Sequence, residues 1–345
     1  MTARREVLVA MSGGVDSSVA AALLLDAGHD VTGVTLRLWG GETESGCCSV
    51  SDVEDARRVA AQLGIPHYVF NLSEEFERAV VDGYVDAYAS GRTPNPCVEC
   101  NRTIKFGALL ERADALGFDA VATGHHARIV ERAEGALALA RGADRAKDQS
   151  YVLYMLGQRE LARTLLPVGN LTKADVRARA AALGLRTATK PESMDVCFVR
   201  REDRRAFVRA RARTRAGAVV DGAGRVVARH DGVEGFTIGQ RRGLGVAVGE
   251  PQYVVDVDAA TARVTIGAHD ALLTDRVELH DVTWSSAPPS SGRPVQVQTR
   301  AHGDVVGARL HGDVLHLEQR ARRVAPGQVV ALYDGDHLVG GGIAA

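Results

Sequence analysis

Seven consecutive residues, Ser12 to Ser18 (SGGVDSS), carry the densest chemistry in this chain. Gly13 and Gly14 let backbone N–H groups approach an anion with no Cβ in the way, and Ser12 and Ser17 add hydroxyl donors. A helix predicted to begin directly afterwards would aim its positive end at the same point. The string therefore reads as a phosphate-type anion cradle. No lysine follows the glycines, so it is not a Walker A loop, and the spacing is not the dinucleotide GxGxxG. Asp16 would repel a phosphate unless a cation bridged them, which implies Mg²⁺. The second source of chemistry is cysteine. The five thiols, Cys47, Cys48, Cys97, Cys100 and Cys197, cannot close into a complete set of internal disulfides, and they point to a reducing compartment.

At 345 residues the chain is long enough for two or three domains, each with its own core. A formal net charge of -1 excludes a protein that coats nucleic acid by charge alone, so any RNA contact must be local. Four lysines stand among 42 basic residues, the rest being arginine. Arg4 and Arg5 precede an apolar run, Val7 to Met11, that is too short for a signal-peptide core. No segment approaches the roughly 18 apolar residues of a membrane span, so a cytoplasmic protein with no membrane partner is expected.

Alternating strands and helices fill the first half. Val7 to Met11 predicts a strand and Asp16 to Ala27 a helix that stops at Gly28. Val31 to Leu38 is the next strand. Ser51 to Leu63 is the next helix, opened by a capping box of Ser51 and Glu54 and ended by Gly64 and Pro66. A strand at His67 to Asn71, a helix capped by Ser73 and running to about Ser90, a helix at Thr103 to Leu116 and a strand at Ala120 to Thr123 follow. The expected class is α/β, with an N-terminal doubly wound parallel sheet over residues 1–204. Beyond it the texture turns to short strands and glycine turns, giving a small β-rich module at 205–270 and a barrel-like one at 271–345.

SGGVDSS closely resembles the pyrophosphate loop of the PP-loop ATP pyrophosphatases, which have an adenine nucleotide α hydrolase-like fold. Six further strings select one branch: GRTPNPCVECNRTIKF (Gly91 to Phe106), ATGHHAR (Ala122 to Arg128), KDQSYVLY (Lys147 to Tyr154), MDVCFV (Met194 to Val199), TIGQRRGLG (Thr237 to Gly245) and GGGI (Gly340 to Ile343). Together they resemble the tRNA-specific 2-thiouridylases nearly end to end. The resemblance implies adenylation of O2 of the wobble uridine of Lys, Glu and Gln tRNAs. Sulfur transfer from a cysteine persulfide would follow, releasing AMP and pyrophosphate, with a cysteine desulfurase or sulfur-relay protein as donor. The chemistry suits the residue types, because an amide-like oxygen is a poor leaving group until it is phosphorylated, and a tethered sulfur nucleophile is held in position.

By that resemblance Cys100 is the nucleophile and Cys197 carries the persulfide, and the two are a pair able to form a disulfide. ATP falls to Ala10, Met11, Ser12, Gly13, Gly14, Val15, Asp16, Ser17, Leu36 and Gly124. Asn95, Pro96 and Cys97 face the target base, with His125 beside it. Lys147, Asp148 and Gln149, and Arg300 and Gln328 in the barrel, contact tRNA. Arg320, Arg322 and Arg323 form a basic cluster that is either a solvated charge run or an RNA contact. The chain departs from the family pattern at Cys97, where relatives carry Asp, and at Ala301 and His302, which replace an aromatic residue and an Arg. With Cys97, the set Cys97, Cys100 and Cys197 has a spacing that suits three ligands of a [4Fe–4S] cluster with one open iron, a second route to the same product. Two other classes stay open: a PP-loop synthetase that adenylates a carboxylate to form an amide, and a non-catalytic RNA-binding or sulfur-carrier protein. Cys47 and Cys48 have no assigned role.

Overall fold

The computed structural model describes residues 3–39, 49–132, 135–191, 196–200, 202–246, 249–301 and 303–345. Cys47, Cys48, His302 and the first two residues of the MDVCFV string lie outside them. The chain opens with β1 (Glu6–Ala10), α1 (Val15–Asp26), β2 (Asp30–Arg37), α2 (Val50–Leu63) and β3 (His67–Asn71). Next come α3 (Ser73–Phe76), a π-helical turn, and α4 (Asp82–Ala89), then α5 (Pro96–Glu99), a π-helical stretch over Cys100–Ala108, and α6 (Leu109–Ala115). Strand β4 (Ala120–Ala122) leads to a hairpin, β5 (Ala127–Glu131) and β6 (Leu137–Arg141). Helix α7 (Gln158–Ala162), β7 (Thr164–Leu165), α8 (Lys173–Ala182) and α9 (Arg204–Arg211) complete the first part.

Among the described residues the first part holds a five-stranded sheet in the order β3-β2-β1-β4-β7, parallel throughout. Strands β1 and β4 read as short apolar runs because both their faces are covered, whereas β3, at the sheet edge, leaves Tyr68 and Val69 exposed. In β1, Val7 and Val9 point into a layer with Val19, Val59 and Val176 of α1, α2 and α8. Leu8, between them, points the other way, toward Phe76, Ile104 and Leu109. Each such fully buried aliphatic side chain contributes about 1.5–3 kcal/mol, so β1 is the element that fastens the two helical layers together.

Three local expectations need correction. The capping box of α2 is Ser49 with Asp52, not Ser51 with Glu54: the Ser49 hydroxyl accepts from the Asp52 amide at 3.1 Å. Glu54 instead pairs with Arg57 on the exposed face. Ser73 does not cap its helix, whose N-cap is Leu72; its hydroxyl donates to the Asn71 side chain. The helix expected from Thr103 starts at Pro96. Asn95 Oδ1 accepts from the amides of Cys97 and Val98, and proline at the first helical position has no N–H to waste.

Strands β8 (Gly217–Val220), β9 (Val226–His230), β10 (Tyr253–Asp258) and β11 (Arg263–Gly267) form a four-stranded sheet in the order β10-β11-β8-β9. The last part contains β12 (Leu273–Trp284), β13 (Pro294–Gln298), β14 (Val306–His311), β15 (Val314–Arg322), β16 (Val329–Asp334) and β17 (His337–Ala344). They pair in the order β12-β15-β14-β13-β16-β17 and back to β12, a closed six-stranded antiparallel barrel. The β5–β6 hairpin joins the same sheet, with Ala140 of β6 opposite His337 of β17. No helix among the described residues is long and apolar enough to cross a membrane.

Candidate active site

The SGGVDSS loop leaves the C-terminal end of β1, the central strand, which is where open α/β sheets bind ligands. The Met11 amide still pairs with Val34 O, so the turn begins at Ser12. Ser12 N donates to Ser17 Oγ at 3.2 Å, and the two hydroxyl oxygens lie 3.4 Å apart. Gly13 has φ of +72°, and a Cβ there would sit 2.3 Å from Asp52 O at the start of α2. Gly124, just past β4, presses on the loop from the opposite side: its Cβ would fall 2.6 Å from Ser17 N. Helix α1 has Gly14 as its N-cap and no side-chain cap, which leaves its positive end for an anion. Ala10, Met11 and Val15 frame this loop, and Leu36 lies on the neighbouring strand β2.

Asp16 is held by two residues that the sequence did not single out. Lys173, the first residue of α8, places Nζ 2.8 and 2.6 Å from its carboxylate oxygens, and His126 Nε2 lies 3.0 Å from Oδ1. Burial pushes this carboxyl up, but the hydrogen bonds and charge of His126 and Lys173 together outweigh it and leave it below the ordinary carboxylate range. The compensation matters: a bare carboxylate about 4 Å from a phosphate charge costs about 4 kcal/mol at an effective dielectric near 20. As a metal donor, Asp16 offers one carboxylate. Among the described residues no group of three or more His, Cys, Asp or Glu side chains is arranged to hold a metal. One carboxylate fits a Mg²⁺ that keeps phosphate oxygens and water as its other ligands.

Lys190 closes the back of the loop. Its Nζ donates to Gly13 O at 3.0 Å, to Asp52 at 2.7 Å and to Asp55 at 2.6 Å. Burial lowers its pKa, but the two aspartates raise it further, so the ammonium stays charged.

Cys100 and Cys197 belong to one apolar cluster on the far face of the sheet. Cys100 is 7 % exposed, and Cys197 is half-buried against the same side chains. Phe198 reaches from beside Cys197 into that core, with ring centroids 5.2 Å from Tyr84 and 5.7 Å from Phe76. Cys100 lies one turn inside a helix that starts at Pro96, so it is Cys97, not Cys100, that stands at the positive helix end. The disulfide between Cys100 and Cys197 is not formed; Cys97, Cys100 and Cys197 are all thiols. They also do not make the three-thiolate cradle that a [4Fe–4S] cluster needs. Cys100 is sunk among aliphatic and aromatic side chains, whereas Cys97 stands outside that cluster at the capped start of α5.

The residues expected to meet tRNA divide. Asn95 and Pro96 build the start of α5, beside Cys97. His125 is buried against Phe106, with Nδ1 2.8 Å from Thr123 Oγ1; burial, then the charge of Lys105, keeps it neutral by holding its pKa well below the usual value. The neighbouring His126 is the one that touches the loop. Asp148 is buried and spends its oxygens on Arg141, the Gly142 and Ser150 amides and the Ser150 hydroxyl. Gln149 clamps the His126 backbone through its own amide and its side-chain oxygen. Lys147 is half-buried and Arg300 exposed. Gln328 donates to Thr93 O at 2.5 Å and so ties the barrel to the loop before Asn95. Arg322 and Arg323 donate to His269 and the Val255 carbonyl and so stitch the barrel to the preceding module, while Arg320 donates to the Leu273 carbonyl within the barrel.

One signal for the missed residues was present. Lysine at the first position of a helix sits at the wrong end of the helix dipole, and Lys173 and Lys190 are two of only four lysines.

Comparison with known proteins matches three family profiles in series. These are a tRNA methyl transferase HUP domain over residues 5–201, a tRNA methyl transferase PRC-barrel domain over 205–268 and an aminomethyltransferase beta-barrel domain over 274–344. Curated relatives named tRNA-specific 2-thiouridylase MnmA match throughout. The protein of Roseiflexus sp. is 51% identical, covering 98% of both chains. That of Chloroflexus aggregans is 51% identical, covering 97% of each, and that of Mycolicibacterium smegmatis is 51% identical, covering 96% of this chain and 97% of the relative.

Proposed function

Because the chain belongs to the tRNA-specific 2-thiouridylase family, we propose that it is a cytoplasmic enzyme that replaces O2 of the wobble uridine of tRNA with sulfur at the expense of ATP. The observation that carries this reading is the pairing of an uncapped anion cradle at Ser12–Ser17 with two thiols, Cys100 and Cys197, in one cluster on the next layer of the fold. A methyl transferase, the word in two of the profile descriptions, needs neither a phosphate cradle nor paired thiols.

In the reaction, O2 of the uridine bonds to the α-phosphorus of ATP. The bond to the bridging oxygen breaks, and pyrophosphate leaves into the cradle with that electron pair. Asp16 would hold a Mg²⁺, which when bound would supply charge neutralisation to the phosphates. The terminal sulfur of a Cys197 persulfide then bonds to C2, the C2–O bond breaks and AMP departs; Cys100 attacks the Cys197 sulfur, the S–S bond to the base breaks to release thiouridine, and the Cys100–Cys197 disulfide so formed is reduced by an external dithiol before the next turnover. A cysteine desulfurase or relay protein loads Cys197. Asn95, Pro96 and Cys97 take the flipped base, while Lys147, Gln149 and Arg300 are assigned to the RNA backbone. On this reading residues 1–204 do the chemistry, and the modules at 205–270 and 271–345 hold the tRNA.

The test is direct: unmodified tRNA is incubated with ATP, Mg²⁺, a cysteine desulfurase and the protein, and thiouridine is read as a mobility shift on a mercury gel. Wild type gives the shift; Cys100→Ser and Cys197→Ser do not. Cys97→Ser retains it, because the thiol chemistry needs no third sulfur. Loss of product in Cys97→Ser together with iron in the purified protein would restore the cluster route, and full activity of Cys100→Ser would favour an amide-forming synthetase.

A further inference from the structure

We propose that Arg211, Arg213 and Arg215, where α9 runs out into the central module, bind the phosphate backbone of the RNA strand that carries the target uridine. This rests on the reading that tRNA is the substrate.

The sequence concentrates charge at this point. Eight of the sixteen residues from Arg200 to Arg215 are arginine, against Glu202 and Asp203, in a chain whose net charge is -1. The fold then sorts them. Arg204 turns back onto Tyr88, its guanidinium 4.7 Å from the ring centroid, and Arg205 and Arg209 are spent on Glu234, a carboxylate with no exposed surface. The three arginines that follow are not neutralised in this way. Among the described residues no carboxylate pairs with Arg211, Arg213 or Arg215.

The local backbone sets these three on one side. Helix α9 ends at Arg211, and Ala212 is extended, with φ of −120° and ψ of 149°. From there Arg211, Arg213 and Arg215 are exposed while Ala212 and Thr214 are half-buried, the alternation of an extended chain. Two of the three are held in place. The Arg211 guanidinium lies 3.9 Å from the Phe207 ring centroid with Trp39 beyond it, and Arg215 donates to Ala260 O at 2.6 Å. Each guanidinium keeps further N–H donors for a ligand.

The chemistry of the surface favours phosphate. A guanidinium fork matches two phosphate oxygens at once. A protein partner would need an apolar anchor at the centre of the patch, and no large apolar side chain between residues 203 and 216 is exposed. The position fits the same reading. Phe207 and Ala212 pack on the cluster that holds Cys100 and Cys197, and the Phe207 ring lies 5.6 Å from that of Phe198, the neighbour of Cys197. A strand laid along the three arginines therefore passes beside the layer in which sulfur is transferred.

The experiment measures binding of an unmodified tRNA transcript to the full chain by fluorescence anisotropy over a series of salt concentrations, with circular dichroism to confirm folding. The triple variant Arg211→Gln, Arg213→Gln, Arg215→Gln is expected to bind at least tenfold more weakly, and its plot of log K against log salt to lose about two to three units of slope. Lysine at the same three positions keeps the slope. A triple variant of equal charge loss elsewhere, Arg57→Gln, Arg58→Gln, Arg132→Gln, stays within about threefold of wild type. Should the first triple fail to fold, Arg213→Gln alone is expected to lose about 0.7–0.9 of a unit. Wild-type affinity and slope in the variant would overturn the proposal. So would retained tRNA binding with lost loading of Cys197 by a cysteine desulfurase in the absence of RNA, which would give the surface to the sulfur donor. A wild type that binds tRNA with full slope yet makes no thiouridine would sink the enzymatic reading and leave this surface standing.

Discussion

The Nζ of Lys190 lies 3.0 Å from the carbonyl oxygen of Gly13, so the segment that leads to Cys197 is fastened to the turn of the SGGVDSS loop. Cys197 lies seven residues beyond Lys190 in the sequence. Lys190→Met removes the tie and leaves Asp52 and Asp55 facing each other without their cation. The expected cost is about 2 kcal/mol in urea denaturation, discounted from the figure for fully buried pairs because these side chains keep some solvent contact. Lys190→Arg restores most of that stability. Thiouridine formation falls further than stability alone accounts for, because the loop loses the ammonium that holds Gly13 O.

Gly13 and Gly124 grip the loop from two sides, and neither can take a methyl group without moving backbone. Gly124→Ala pushes on Ser17 N and Gly13→Ala on Asp52 O, and the second residue also has a positive φ. Both variants are expected to fold, with a stability loss of about 1–3 kcal/mol. Thiouridine formation drops by about a hundredfold or more, since displacing a reacting group by roughly 1 Å has that effect. Unchanged activity in Gly124→Ala on the mercury gel would show that the cradle is not where the nucleotide reacts.

His125 gives the protein a pH limit on the acid side. Burial holds its folded pKa well below its unfolded value near 6.5, so the unfolded chain binds the extra proton first. The stability contributed by neutral His125 is complete above pH 6.5 and is lost as pH falls below it, by up to about 1.4 kcal/mol per pH unit. His67 and His230, also lowered chiefly by burial, add slope in the same direction. His125→Asn is expected to flatten urea-derived stability between about pH 6.5 and 5 by one proton's worth. Asp16 acts in a different window: its carboxyl is lowered, so its contribution is present above the unfolded value near 3.9 and fades below it.

The parallel sheet was readable because Val7 to Met11 is an apolar run ending at the glycine turn and Val31 to Leu38 intersperses Val31, Val34, Leu36 and Leu38 with polar residues and Gly33, and the SGGVDSS loop followed from its own residue types. Helix boundaries were less so. Pro96 opens a helix because it follows Asn95, yet the two prolines at 94 and 96 read equally well as a stiff loop. The partners of the loop were hidden for a different reason. Lys173 and His126 lie 157 and 110 residues from Asp16, and only the order of strands around β1 brings them together. Asp148 shows the converse: a charged residue inside a polar string looked like a surface contact, and only burial revealed that its oxygens are spent within the fold.

The pairing of Ala140 with His337 has a bearing on how the chain matures during synthesis. Strand β6 emerges from the ribosome long before β17, so the hairpin that follows Gly124 waits, with one edge unpaired, until the last eight-residue strand arrives. A ribosome that stalls within the barrel would leave that edge open as a template for another chain. Arrival of β17 closes that edge by pairing His337 with Ala140.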